Sequence, residues 1–245
     1  MAFTRTKKLI VFGSIIVVLA IVALTLFLKR HDISEHFKVS AAERAIANHT
    51  ATPLDLSAQY AHAAFDNGGG SSYWHDIPWR FQVFDGVPLQ IDGLMYLWGQ
   101  GNAKMGANFP EEILGIPVNQ KFETLYVYHC AFFSSPANSP VYDLVFRYDD
   151  GSSATNEIVY GRDILDFNSK GNQLGPKPSG QNSKLAWVGA SFTGDGTHPL
   201  RFILTAIKNP WPGTQVTSID LYSCKGRSAA CVLAMTAGKS GLMTK

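Results

Sequence analysis

Two turn-prone stretches hold the side chains best suited to recognition chemistry. Tyr73-Trp74-His75-Asp76 follows the glycine run Gly68-Gly69-Gly70, and Trp211 stands between Pro210 and Pro212. Sugar rings present C–H faces that stack on an indole, while their hydroxyls need amide or carboxylate partners close by. Tyr73, Trp74, His75 and Asp76 offer both kinds of group in one loop, and Trp211 offers a second indole held by prolines. These five residues are the candidate ligand-binding set, and the chemistry they imply is glycan recognition. The plainer reading, that each tryptophan caps the core from its rim, stands ahead of the binding one. Trp98 and Trp187 lie in strand-like runs and read as core.

Spacings that would carry catalysis are missing, so no catalytic residue is assigned. Gly189-Ala190-Ser191-Phe192-Thr193-Gly194 misses the nucleophile elbow by one residue, and no strand-to-helix turn is in view to strain it. Gly99-Gln100-Gly101 with Lys104 and Gly106 has neither phosphate-loop nor dinucleotide spacing and reads as a loop. Hydrolysis of a glycoside needs two acids facing each other across a cleft; Glu111-Glu112 and Asp149-Asp150 are sequence neighbours and read as solvated turns. Distant acids could still meet in space, which keeps an exported glycan hydrolase as a third reading. His62, His75, His129 and His198 show no metal-ligand spacing, and His129 inside an apolar run reads as a core histidine bonded to a neighbour. No cofactor follows, and a structural calcium ion is left open.

Of the three cysteines, Cys224 and Cys231 flank Lys225-Gly226-Arg227-Ser228 and form the candidate disulfide of an oxidising compartment. Cys130, in its apolar run, reads as a buried thiol.

The element that places all of this is Leu9 to Leu28, twenty residues without a charge. As a helix it reaches about 30 Å, the thickness of a bilayer's hydrocarbon core. A buried helix of that length would normally show a polar face, and only Ser14 and Thr25 are polar here. Residues 9–28 therefore predict a single transmembrane helix. Arg5, Lys7 and Lys8 hold residues 1–8 in the cytoplasm. The rest then faces the periplasm or the cell exterior. A cleaved signal peptide would end in a small-x-small site, and this run ends Leu26-Phe27-Leu28-Lys29. Residues 29–53 form a tether, with a short helix from the capping-box spacing Ser40-Ala41-Ala42-Glu43 to about Ala47. Asn48-His49-Thr50 fits a glycosylation sequon and reads as tether. The remaining basic residues are scattered, and a net charge of +2 gives no clustered face for nucleic acid.

Residues 54–238 are the folded domain and 239–245 a tail. In this domain short apolar runs alternate with Gly, Pro, Asn and Asp, with no sustained helical period. In Val141 to Tyr148, Tyr142, Leu144, Phe146 and Tyr148 share one face while Asp143 and Arg147 share the other. Asp150-Gly151 then makes a hairpin turn, and the chain returns through Ser153 to Tyr160. Leu125 to Phe133 is apolar on both faces, so it reads as a central strand covered on both sides. Val87–Ile91, Leu185–Ala190, Arg201–Ile207, Val216–Tyr222 and Cys231–Thr236 complete the strands. So many strands without long helices predict an all-β, two-sheet sandwich or jelly roll. Gly68–Ser72 and Asn168–Ser183 are the long loops.

An ordered set of short motifs runs through this domain: Leu54-Asp55-Leu56-Ser57; Ile77-Pro78 leading to Phe84-Asp85-Gly86-Val87-Pro88-Leu89; Phe109-Pro110 before Gly115-Ile116-Pro117-Val118; Ile158-Val159-Tyr160-Gly161-Arg162-Asp163; and Asn209-Pro210-x-Pro212 before Val216-x-Ser218-Ile219-Asp220. The set resembles a recurrent bacterial exported domain of carbohydrate-binding-module-like jelly-roll type, similar to galactose-binding-like sandwiches, from about Leu54 to Ala237. The resemblance implies a sandwich that binds or props, appended to exported or membrane-held proteins. Two departures stand out. Asp166-Phe167-Asn168 and Ile207 occupy places where tryptophans are common. The resulting expectation is a membrane-anchored, non-catalytic jelly roll that binds a glycan or another envelope component. A structural or protein-interaction domain of an envelope complex is the alternative.

Overall fold

A computed structural model describes residues 43–48, 50–63, 77–168, 175–193 and 196–243. The candidate transmembrane run 9–28, the tail before it, Ser40, His49, the glycine run and Tyr73, Trp74, His75 and Asp76 lie outside the described residues. No helix among the described residues is long and apolar enough to cross a membrane.

The described residues are mostly strand. In order these are β1 (Ala51–Pro53), β2 (His62–Ala63), β3 (Arg80–Phe84), β4 (Val87–Ile91), β5 (Gly93–Tyr96), β6 (Glu112–Gln120), β7 (Thr124–Phe132), β8 (Pro140–Tyr148), β9 (Ser153–Val159), β10 (Ser183–Thr193), β11 (Gly196–Lys208), β12 (Val216–Ser223) and β13 (Ala229–Gly238). One sheet runs β10-β11-β7-β13-β5-β2, with β1 also pairing β13; a second runs β6-β12-β8-β9; β3 and β4 form a separate hairpin. The paired strands within them are antiparallel.

Alternation decides which side chains meet. From β8, Tyr142, Leu144, Phe146 and Tyr148 point inward, and with Ile116, Ile219 and Leu221 they pack on Leu125, Val127, Ile203 and Met235 of the larger sheet. Fully burying one such side chain contributes about 1.5–3 kcal/mol. The opposite face of the larger sheet carries Tyr126, Tyr128, Cys130, Phe202 and Leu233, which pack with Val87, Leu89 and Ile91 of β4. β7 is thus buried on both faces, as its unbroken apolar run predicts.

The β8–β9 hairpin also forms where the period-two pattern puts it. Gly151 takes the left-handed conformation at φ 82°, and the Asp150 carboxylate accepts the Ser152 N–H at 2.9 Å. β6 is the strand that the sequence hides. Opposite β12, Ile116 pairs Ile219 but Ile113 pairs Leu221, so three residues on β6 span two on β12. This bulge centres on Gly115, at φ 70°, whose N–H donates to Asp220 Oδ1 at 2.8 Å. It breaks the alternation that would have announced the strand. Glu112, read as a turn residue, begins β6, and Glu111 pairs with Lys225 at 2.5 Å.

Three further boundaries differ from the sequence reading. Residues 51–53, assigned to the tether, form β1 against Thr236 to Gly238. Gln100–Lys104, read as loop, is a short helix. Within the tail, residues 239–242 are tied to the larger sheet: Ser240 N–H donates to Glu123 Oε2 at 2.9 Å and Leu242 N–H to the Tyr126 hydroxyl at 3.1 Å. Residues 43–47 are helical, in line with the short helix expected there.

His129 lies on the inward face of β7, fully buried. Its Nδ1 is 2.8 Å from the Tyr142 hydroxyl, and its Nε2 is 3.0 Å from Thr205 Oγ1 and 3.2 Å from the Asp163 carbonyl. Thr205 Oγ1 donates to that same carbonyl at 2.8 Å. The network therefore assigns the proton to Nε2, leaving Nδ1 to accept from Tyr142. Tyr128 is the contrasting case, because its hydroxyl is buried with no hydrogen-bond partner among the described residues. A buried hydroxyl without a partner costs about 1–3 kcal/mol. Tyr128→Phe removes that cost and keeps the ring, so it should raise the denaturation midpoint; a clear fall in the midpoint would refute the assignment.

Candidate functional site

The best-formed site lies where β11 ends. Asn209 is fully buried although polar, and it satisfies four groups at once. Its Oδ1 accepts the Tyr148 hydroxyl at 2.6 Å and the Trp211 N–H at 3.0 Å, and its Nδ2 donates to the Phe122 carbonyl at 2.9 Å. Its own N–H donates to the Glu123 carbonyl at 2.9 Å. One side chain thus ties the end of β8, the turn between β6 and β7, and the loop beyond β11. Burial pushes the Tyr148 phenol upward, which keeps it a donor to Asn209.

Pro210 and Pro212 restrict φ on either side of Trp211, and a turn closes through Thr214 N–H to the Trp211 carbonyl at 3.0 Å. The indole packs against the Tyr148 ring at 5.0 Å between centroids, the two planes inclined by 56°. It nevertheless stays 45% exposed, unusually open for a large aromatic side chain held this firmly.

A cavity of about 190 Å³ adjoins the loop, lined by Pro212, Gln120, Lys121, Phe122, Glu123 and the end of β13. The Gln120 amide nitrogen is buried and has no hydrogen-bond partner among the described residues. Hydrogen bonds from Ser240 hold the Glu123 carboxyl below its usual range, helped by nearby Lys239, so it is an acceptor at neutral pH. The segment after β13 also lines a second cavity of about 300 Å³ with Gln181, Asn182, Lys184 and Lys208. An exposed ring with amide, carboxylate and ammonium groups close by can stack on an apolar face and hydrogen-bond its substituents.

Asp143 and Glu157 are opposite one another in the β8–β9 ladder, on the outer face of the smaller sheet. Partial burial, and secondarily Glu157, raise the Asp143 carboxyl. Farther along β8, Arg147 donates to Asp220 at 2.7 Å and to the Tyr222 hydroxyl at 3.0 Å. Among the described residues no group of three His, Cys, Asp or Glu side chains could hold a metal ion.

Of the candidate ligand-binding residues, Trp211 is the one described, and it is partly open rather than sealed over the core. Trp187, read as core, stacks on Phe202 at 5.1 Å. The proposed bridge between Cys224 and Cys231 is not formed: all three cysteines are free thiols. Cys224 follows β12, with its N–H donating to the Val141 carbonyl at 3.1 Å, whereas Cys231 lies opposite Cys130 within the larger sheet. Burial pushes the Cys224 thiol up to about 11.

Sequence reasoning passed over Gln120, Glu123 and Tyr148 as site residues, since their convergence depends on pairing between distant strands. The Asn209-Pro210-x-Pro212 motif was the available signal. No family model, no curated protein and no solved structure matches this chain.

Proposed function

We propose that the domain is a non-catalytic binding module that takes a glycan, free or on an envelope component, against Trp211 and the adjoining cavity. The observation that carries this reading is the partly exposed indole, pinned by Asn209 and two prolines beside that cavity. A sugar ring stacked on that indole would find Gln120, Lys121 and Glu123 along the cavity wall. The module is a galactose-binding-like jelly roll held at the outer side of a membrane by residues 9–28, an assignment motivated by the uncharged run and the basic residues before it.

A glycan panel presented to the intact protein tests the reading, together with protease digestion of intact cells to place the domain. At least one glycan should bind, and Trp211→Ala should weaken it about tenfold, equivalent to about 1.4 kcal/mol, without changing the fold. Binding to no glycan, or equal binding by the variant, would sink the proposal.

A further inference from the structure

Alternation puts two lysines on a face of the larger sheet that is otherwise apolar. On β11, Phe202 and Leu204 are buried in the second core, Ala206 is partly buried and Lys208 is exposed. Register sets Lys208 opposite Thr124 and Ala206 opposite Tyr126 of β7, and Leu204 opposite Lys184 of β10. Lys184 and Lys208 therefore leave the sheet on the same side, where burial gives out toward the end of β11. They are offset by four residues along that strand, about 13 Å, and so flank the space between them.

Both line the cavity of about 300 Å³, a volume at the small end of ligand sites. The rest of its lining is neutral. Gln181 and Asn182 supply polar groups, while Tyr126, Ala206 and Met243 supply apolar surface. Among the described residues no carboxylate lines the cavity. Asp85 Oδ1 stands outside the lining, 3.9 Å from Lys184 Nζ, too long for a hydrogen bond. An ammonium donates and never accepts, so the cavity calls for a ligand with acceptor oxygens and negative charge.

Thr124 and Ser240 also line this cavity, and their hydroxyl oxygens stand 3.2 Å apart. Their sequence neighbours Glu123 and Lys239 line the cavity beside Pro212. The two cavities thus share a wall one residue thick in each segment, thin enough for successive units of one oligosaccharide to cross.

Resting on the glycan reading above, we propose that this second cavity is a subsite for a sugar unit that carries a carboxylate or sulfate, with Lys184 and Lys208 as the partners of its oxyanion. Bonds from an ammonium to an oxyanion are charge-assisted and stronger than those between neutral groups. Gln181 and Asn182 stand where the hydroxyls of such a ring need partners, and the apolar floor takes its C–H face.

The test titrates oligoglucuronate, oligogalacturonate and a sulfated oligosaccharide into the full-length protein in detergent. Each is paired with a neutral counterpart made by reducing its carboxylates or removing its sulfate. At low salt at least one acidic member should bind about tenfold tighter than its counterpart, and high salt should erase most of that advantage. Lys184→Gln combined with Lys208→Gln should bring the two members of the pair to equal affinity, while Lys208→Arg keeps the preference. Lys104→Gln, on the short helix near the start of β13, should leave it unchanged. If no glycan binds, acidic or neutral, the glycan reading and the subsite fall together. If neutral glycans bind through Trp211 and acid confers no advantage, or the advantage survives the double variant, the subsite alone is overturned. Inorganic phosphate that binds more tightly than every acidic glycan, through the same lysines, would overturn it as a sugar subsite.

Discussion

Replacing Asn209 with alanine is expected to lower the stability of the domain by about 2–5 kcal/mol and to release Trp211 from its fixed position. The side chain makes three hydrogen bonds in a fully buried setting, to the Tyr148 hydroxyl, the Trp211 N–H and the Phe122 carbonyl. Alanine removes all three bonds and strands partners that have few alternatives. Each buried group left unpaired costs about 1–3 kcal/mol. Asn209→Asp is the informative companion. It keeps the acceptor for Tyr148 and Trp211 but loses the donor to Phe122 and buries a charge, so it should be no more stable than the alanine variant. Chemical denaturation measures the loss, and a fall below about 1 kcal/mol would mean that water replaces the side chain. If the loop depends on this residue as described, ligand affinity falls with stability, whereas Trp211→Ala loses affinity alone.

The second large effect concerns acid. His129 is fully buried and its pKa is lowered from 6.5 to about 4, chiefly because burial disfavours the imidazolium; Asp163 opposes the shift but does not cancel it. Between those two values the unfolded chain binds a proton that the folded chain does not. Stability is therefore complete above pH 6.5 and falls as the pH drops toward 4, then stops changing on account of this group. The total loss is on the order of 3 kcal/mol. Denaturation midpoints at pH 7 and pH 4.5 measure it. His129→Gln should be destabilised at pH 7 but should lose much less on acidification. An unchanged slope in that variant would assign the acid sensitivity elsewhere. Asp55, Asp150 and Glu123, all lowered by local hydrogen bonds, contribute their own losses mainly below this window.

How far the fold could be read from the chain depends on whether a strand keeps its period. β8 alternates without interruption, and its inward tyrosines, leucine and phenylalanine could be named from spacing alone. β7 could be recognised as central because no polar residue interrupts it except His129, and that histidine is paid for by three partners. β6 was illegible because the bulge at Gly115 shifts Ile113 and Ile116 out of step. β1 is three residues long and gains its place from β13, more than 180 positions later. The site divides in the same way. Trp211 and its prolines advertise themselves locally. Gln120, Glu123 and Tyr148 become neighbours of that loop through strand pairing and through Asn209, which no local pattern encodes. The cysteines show the limit most clearly: proximity in sequence sets Cys224 beside Cys231, whereas strand register sets Cys231 opposite Cys130 in the other sheet.

The most direct measurement is the indole N–H resonance of Trp211 in the isotopically labelled protein, followed during titration with a bound glycan. The result expected is a saturable shift of Trp211, with Trp98 and Trp187 unmoved. A glycan that binds while Trp211 keeps its resonance would contradict the assignment of this loop as the binding surface.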